Sequence, residues 1–182
     1  MSIVKSLLWV SGGLLLVALF AQTTQNVNVN DDTIPVTGQS LAVLVVGFLW
    51  PRPLGVLAIG LYLLSGALGL PVFADGESGW AQLAGPSAGY LWGFLVAAEI
   101  MSLLALRGWG FSFLRSLLAM AIGTAVILFV GLTRLALLHG WAQAVEWGLA
   151  PFWKGALVKI LLGAIIAWWF RCSVCFSGLR RG

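Results

Sequence analysis

The sequence predicts an all-α integral membrane protein of six transmembrane helices, and three observations carry that expectation. Of 182 residues, 60% are hydrophobic and only 9% are charged, against roughly 25% charged in a soluble domain, and the mean hydropathy is +1.01. The apolar residues fall into runs near the roughly 20 residues a helix needs to cross hydrocarbon. Pro, Gly and Arg separate the runs. Six such runs with short loops use the whole length, so residues 1–182 are expected to form one transmembrane domain with a short basic cytoplasmic tail, 171–182. The net charge of +4 reads as orientation charge, because no basic patch is interleaved with surface aromatics, and nucleic acid is not an expected partner.

The first run, residues 6–21, follows Lys5 and also fits the early regions of a secretory signal, but no clean A-x-A site follows, which favours an uncleaved first helix. Residues 22–39 are polar, rich in Asn and Thr and broken by Pro35 and Gly38, and are expected to form the first long loop. The second run, 40–50, stops at Pro51, Arg52 and Pro53, where two prolines remove donors and the arginine prefers water. In the third, 54–70, Gly55, Gly60, Gly66 and Gly69 permit close helix packing. Residues 66–94, GALGLPVFADGESGWAQLAGPSAGYLWGF, then interrupt the apolar pattern with glycines, two acids, Asp75 and Glu77, and an indole, Trp80. A polar loop in so apolar a chain points to a function beyond connection. The fourth run, 87–106, starts after Gly85 and Pro86, and the fifth, 111–138, follows a turn at Gly108 and Gly110. Residues 139–150 read as an interfacial helix or a loop, and Pro151 opens the sixth run, 151–170.

Bases beside the runs set the orientation. With six crossings, Lys5, Arg52, Arg107, Arg115, Arg171, Arg180 and Arg181 fall on one side, and Arg134, Lys154 and Lys159 on the other. Both termini are therefore expected in the cytoplasm of a bacterium, with the protein in its plasma (inner) membrane. Asp31, Asp32, Asp75, Glu77 and Glu146 then face the exterior with the glycine-rich loop.

Charges inside apolar runs are costly and mark candidate sites. Lys159 lies about 12 Å along the helix that starts at Pro151. Either it waits at the floor of an outward pocket for an anionic solute, or it snorkels or is paired internally; snorkelling is the stronger reading for Lys154. Glu99, deep in the fourth run, is a paired structural acid, a partner contact or a proton-coupling group. Trp80 and Tyr90 either stack on a flat ligand or belong to the membrane aromatic belt, an open choice with ten tryptophans in the chain. Cys172 and Cys175 form a lone C-x-x-C and read as incidental, with lipidation or a weak redox role as alternatives. No metal set, no cofactor fingerprint, no G-x-x-x-x-G-K-[ST] and no G-x-S-x-G or H-E-x-x-H occurs, so neither ATP hydrolysis nor an enzyme activity is expected.

Three stretches together resemble the BioY family, the biotin-binding S components of energy-coupling-factor (ECF) transporters. Residues 34–73, with Thr37 and Gln39, resemble the family's run from the first outer loop to the end of the third helix; GLPVF followed by GPSAGYLWGF resembles its glycine-rich loop; PFWKGALVK, 151–159, resembles the head of its sixth helix. The resemblance implies an S-component-like six-helix bundle whose outward pocket, covered by the first and third loops, holds the ligand with its ring system deep. The positions it carries over are Gln39, the loop from Gly76 through Glu77 and Ser78 to Trp80, Ser87, Gly89, Tyr90 and Lys159. Ala156 stands where the family usually has an aspartate, and Asp75 and Glu77 replace small residues of the loop. Glu77 then substitutes for that acid, or the ligand is not biotin.

The function implied is capture of biotin from outside the lipid bilayer and its import with an ECF coupling protein and ATPases encoded elsewhere. One alternative is an S component for a different small carboxylate vitamin or analogue. Another is a non-transporting membrane scaffold, which the absence of a clear small-xxx-small ladder in the first helix favours.

Overall fold

A computed structural model describes residues 2–29 and 32–179, and for 24–29, 32–36 and 174–179 the backbone alone. Asp31, Arg180 and Arg181, used in the charge reading, lie outside the described residues, as do the side chains of Asp32 and Cys175.

Among the described residues, eight α-helices and one hairpin build the fold. Helix α1 (Ile3–Ala21) leads into strands β1 (Thr24–Val29) and β2 (Asp32–Thr37), followed by α2 (Gln39–Leu49), α3 (Leu54–Ala67), the short α4 (Trp80–Ala84), α5 (Ala88–Leu106), α6 (Phe113–His139), α7 (Trp141–Gly148) and α8 (Trp153–Leu179). Helices α1, α5, α6 and α8 are long and apolar enough to cross a membrane, while α2 and α3 are shorter apolar helices. At 1.5 Å per residue α2 is about 16 Å long, roughly half a hydrocarbon core.

The loop expected at 22–39 contains an antiparallel hairpin, in register from Thr24 opposite Thr37 to Val29 opposite Asp32. Its physical cause is the alternation of polar and β-branched residues in TQNVNV, a period of two within a polar segment. Pro35 is tolerated because each strand of a two-stranded ribbon has a free edge. The 139–150 segment resolves into helix α7.

Helix α2 is the hub. Leu41 to Phe48 are all buried, and the helix packs against α1, α3, α5, α6 and α8, as a helix apolar all round must. Its approach to α5 is so close that a Cβ on Gly47 would lie 2.8 Å from Ala98 Cα. At its far end Arg171 of α8 donates to the Phe48 carbonyl at 3.0 Å, placing a cation on the unpaired carbonyls of the last turn. Arg171, counted above only as an orientation charge, is thus half-buried and structural. Arg52, in the turn after α2, pairs with Glu99 of α5. That pair selects the structural reading of Glu99.

Of the third run's glycines, Gly55 and Gly66 serve close packing: a Cβ on Gly55 would meet Val46 O at 2.8 Å, and one on Gly66 would overlap the Phe73 ring. Gly60 has room around it, and Gly69 takes φ 100 in the turn that ends α3.

Candidate functional site

A cavity of about 490 Å3 opens at the end of the bundle where α2 and α8 begin. Its floor is built from the rigid helices: Gln39 and Ser40 in the first turn of α2, Lys159 in the second turn of α8, and Leu91, Phe94 and Ile127 below them on α5 and α6. The glycine-rich loop contributes Phe73, Asp75, Glu77 and Gln82. Tyr90, Trp147 and Phe152 close a third side. Polar groups thus converge in a mostly apolar hollow, the usual form of a small-molecule site.

Lys159 does not snorkel. Its ammonium donates to Thr37 O at 2.5 Å and to Ser40 Oγ at 3.2 Å, both neutral oxygens, and no carboxylate among the described side chains pairs with it. Gln39, only 4% exposed, donates from Nε2 to the Tyr62 hydroxyl, and that hydroxyl donates to Val72 O at 3.0 Å. One chain of hydrogen bonds therefore links the floor to the root of the loop.

The loop is tied at both ends by bonds among the described residues. At its entry Gln22 Nε2 donates to Phe73 O at 3.0 Å, Phe73 meets Tyr62 edge to face at 5.6 Å, and Gly79 N donates to Gly66 O at 2.7 Å. At its exit Arg134 of α6 donates to the carbonyls of Ala84 and Gly85, and Trp92 Nε1 to Leu83 O at 3.2 Å. Between these ties Asp75 adopts the left-handed region at φ 57, which Asp tolerates better than most residues. Ser87 donates to Gln82 Oε1 at 3.2 Å, binding the short α4 to the start of α5.

The structure gathers five of the residues singled out from sequence, Gln39, Glu77, Ser87, Tyr90 and Lys159, around this cavity. The other four, Gly76, Ser78, Trp80 and Gly89, are not among its lining. Trp80 is 64% exposed on the outer side of α4. Gly89 faces α6, where a Cβ would come within 2.6 Å of Val130 O, so it is a packing glycine in this conformation. Sequence reading missed Ser40, Phe73, Gln82, Trp147 and Phe152. Only Phe152, beside Pro151 at a helix start, carried a local signal, since the rest depend on which way their elements face.

Residues 1–174 match the profile of the BioY family. A biotin transporter BioY of Thermotoga maritima is 35% identical over 136 residues, covering 74% of this chain and 79% of that protein. A probable biotin transporter BioY of Pyrococcus horikoshii is 35% identical over 155 residues, covering 84% and 91%. In fold, the chain is similar to the S component for biotin of an ECF-type ABC transporter, with a TM-score of 0.81 over 94% of both chains at 22% identity. These relatives are transporters rather than enzymes, and the protein is a multi-pass protein of the plasma membrane. On the profile match and the two transporter relatives, the chain belongs to the BioY family.

Proposed function

We propose that this chain is a substrate-capture subunit, an S component, that binds biotin from outside and delivers it inward with an ECF coupling protein and a pair of ATPases encoded elsewhere. The observation that carries the reading is Lys159: a cation held in the second turn of α8, at the floor of a cavity, bonded to two neutral oxygens and, among the described side chains, to no carboxylate. In this reading, and in reverse of the ring-deep pose that the resemblance implies, biotin sets its carboxylate at that cation, its apolar ring and chain along the cavity walls, and its ureido N–H groups toward acceptors on the loop. The binding residues are Gln39, Glu77, Ser87, Tyr90 and Lys159; the glycine-rich loop is the lid of the cavity, Gly76 and Ser78 give it its path, Trp80 caps it from outside, and Gly89 sets the spacing of α5 and α6. The protein performs no reaction on its ligand.

Six crossings and cytoplasmic termini follow from the same reading. The short α2 and α3 span with their flanking turns, Arg52 and Arg107 lie at the cytoplasmic end, and the hairpin, the lid and α7 lie outside. Calorimetric titration of the purified protein with biotin tests the function directly: saturable binding supports it, and neither heat nor a thermal shift at saturating biotin overturns it. One observation favours a second reading, a different small carboxylate. Asp75 and Glu77 both line the cavity while Ala156 does not, and a competition panel of vitamins and short diacids separates the two.

A further inference from the structure

Tyr90 was expected to offer its ring to a ligand, yet its polar end is already engaged. Its hydroxyl donates to Gly148 O at 3.0 Å, the last residue of α7, and its ring stands 6.0 Å from Phe152. Gly148 is buried against this contact, and a Cβ there would lie 2.5 Å from the Tyr90 hydroxyl and 2.7 Å from Leu135 Cδ1. Helix α7 packs chiefly on α6 and enters through Gly140 at φ 88, and the Tyr90 bond ties its last residue to α5. Trp147, one residue before the fastening, is half-buried, lines the cavity and sits edge to face with His139 at 5.4 Å. The 64%-exposed Trp80 does not line it.

We propose that Trp147 and Phe152 form the specificity-determining apolar wall of the site, and that Tyr90 is a positioning residue that holds this wall by latching α7 to α5. The proposal rests on the biotin reading above. The floor fixes the ligand's charge and the lid its polar groups, while the ring and chain lie against Trp147 and Phe152. Wide aromatic faces give much contact area for little lost side-chain freedom, which is why buried Trp contacts dominate binding energies.

The test combines two variants with a measurement on the unmodified protein. Trp147→Leu keeps an apolar side chain at this half-buried position and removes the indole; it should weaken biotin binding about tenfold or more while the ligand-free protein stays folded. Tyr90→Phe keeps the ring and removes only the latch; it should weaken binding about three- to tenfold, with faster dissociation. It should also raise the oxidation of Trp147 by hydroxyl radicals in the ligand-free protein, which a loosened α7 exposes. In the wild type, saturating biotin should protect Trp147 from that oxidation several-fold. Equal oxidation of Trp147 with and without biotin, or biotin affinity within twofold of wild type in a folded Trp147→Leu, overturns the proposal. A wild type that binds no biotin overturns the functional reading instead, so the two failures are distinguishable.

Discussion

Replacing Lys159 by Met keeps an unbranched stem of similar length and removes one positive charge from the cavity floor. In the ligand-free protein the loss is local: Thr37 O and Ser40 Oγ each lose a donor, a change worth about 1 kcal/mol because the serine can turn to another partner. The melting temperature should therefore fall only slightly. The loss to a bound carboxylate is larger. Two unit charges about 4 Å apart attract by about 4 kcal/mol at an effective dielectric of 20, and desolvation of both ions returns part of that. Measured charge-assisted hydrogen bonds of about 1.5–3 kcal/mol set the same scale. A net loss of about 2–3 kcal/mol corresponds to a Kd raised about 30- to 150-fold. The assay is calorimetry of wild type and Lys159→Met with biotin and with biotinamide, which has no carboxylate. Biotin should suffer the full loss and biotinamide little of it. A variant that binds biotin within twofold of wild type, or that loses equally for both ligands, would refute the ion-pair assignment.

Two further outcomes follow from the ties around the cavity. Tyr62→Phe deletes the hydroxyl that accepts from Gln39 and donates to Val72 O; leaving the buried Gln39 amide without its acceptor should cost about 1–3 kcal/mol, read as a lower melting temperature together with weaker biotin binding. Glu99→Gln breaks the pair with Arg52, whose side chains are 38% and 41% exposed respectively, so thermal stability should change by less than about 1 kcal/mol. Because the Arg52 turn lies beyond the far end of α2, about 16 Å from its cavity end, the biotin Kd of Glu99→Gln should equal that of the wild type in the same titration.

The long apolar helices were legible because their punctuation is chemical: Pro51 and Pro53 end the α2 segment, Gly108 and Gly110 break α5 from α6, and Pro151 precedes α8. The hairpin was not, since the composition of 22–39 masks the alternation in TQNVNV that registers β1 on β2. Within the site, Lys159 was legible because a charge in an apolar run must find a cavity or a partner. The aromatic side was not. Trp80 sits among glycines and acids, Trp147 in a stretch that reads as interfacial, and nothing local says that the first turns outward while the second turns to the cavity. For Trp147 the neighbouring tie is long-range, the bond from Tyr90 to Gly148, which spans 58 residues. The same holds for Glu99, whose partner Arg52 is 47 residues away; periodicity placed the carboxylate in the helix but could not choose among its roles.

The distribution of charge around the cavity also says which carboxylates the site should refuse. Among the described lining residues the cation, Lys159, is fixed on a helix and bonded to α2 and to the end of β2, whereas the acids, Asp75 and Glu77, ride on the lid. An anion is attracted by the floor and repelled by the lid, so a second anionic group at the lid end opposes closure. A ligand with a carboxylate at one end and N–H donors at the other satisfies both, since the donors turn the lid acids from a repulsive element into acceptors. Biotin has that polarity; a straight-chain diacid of the same length does not. In competition against labelled biotin the diacid should therefore bind at least about tenfold more weakly than biotin, a difference of about 1.4 kcal/mol. In Asp75→Asn/Glu77→Gln the gap should narrow from both sides, as biotin loses its acceptors and the diacid its repulsion. A diacid that matches biotin on the wild type would show that the lid acids do not select the ligand.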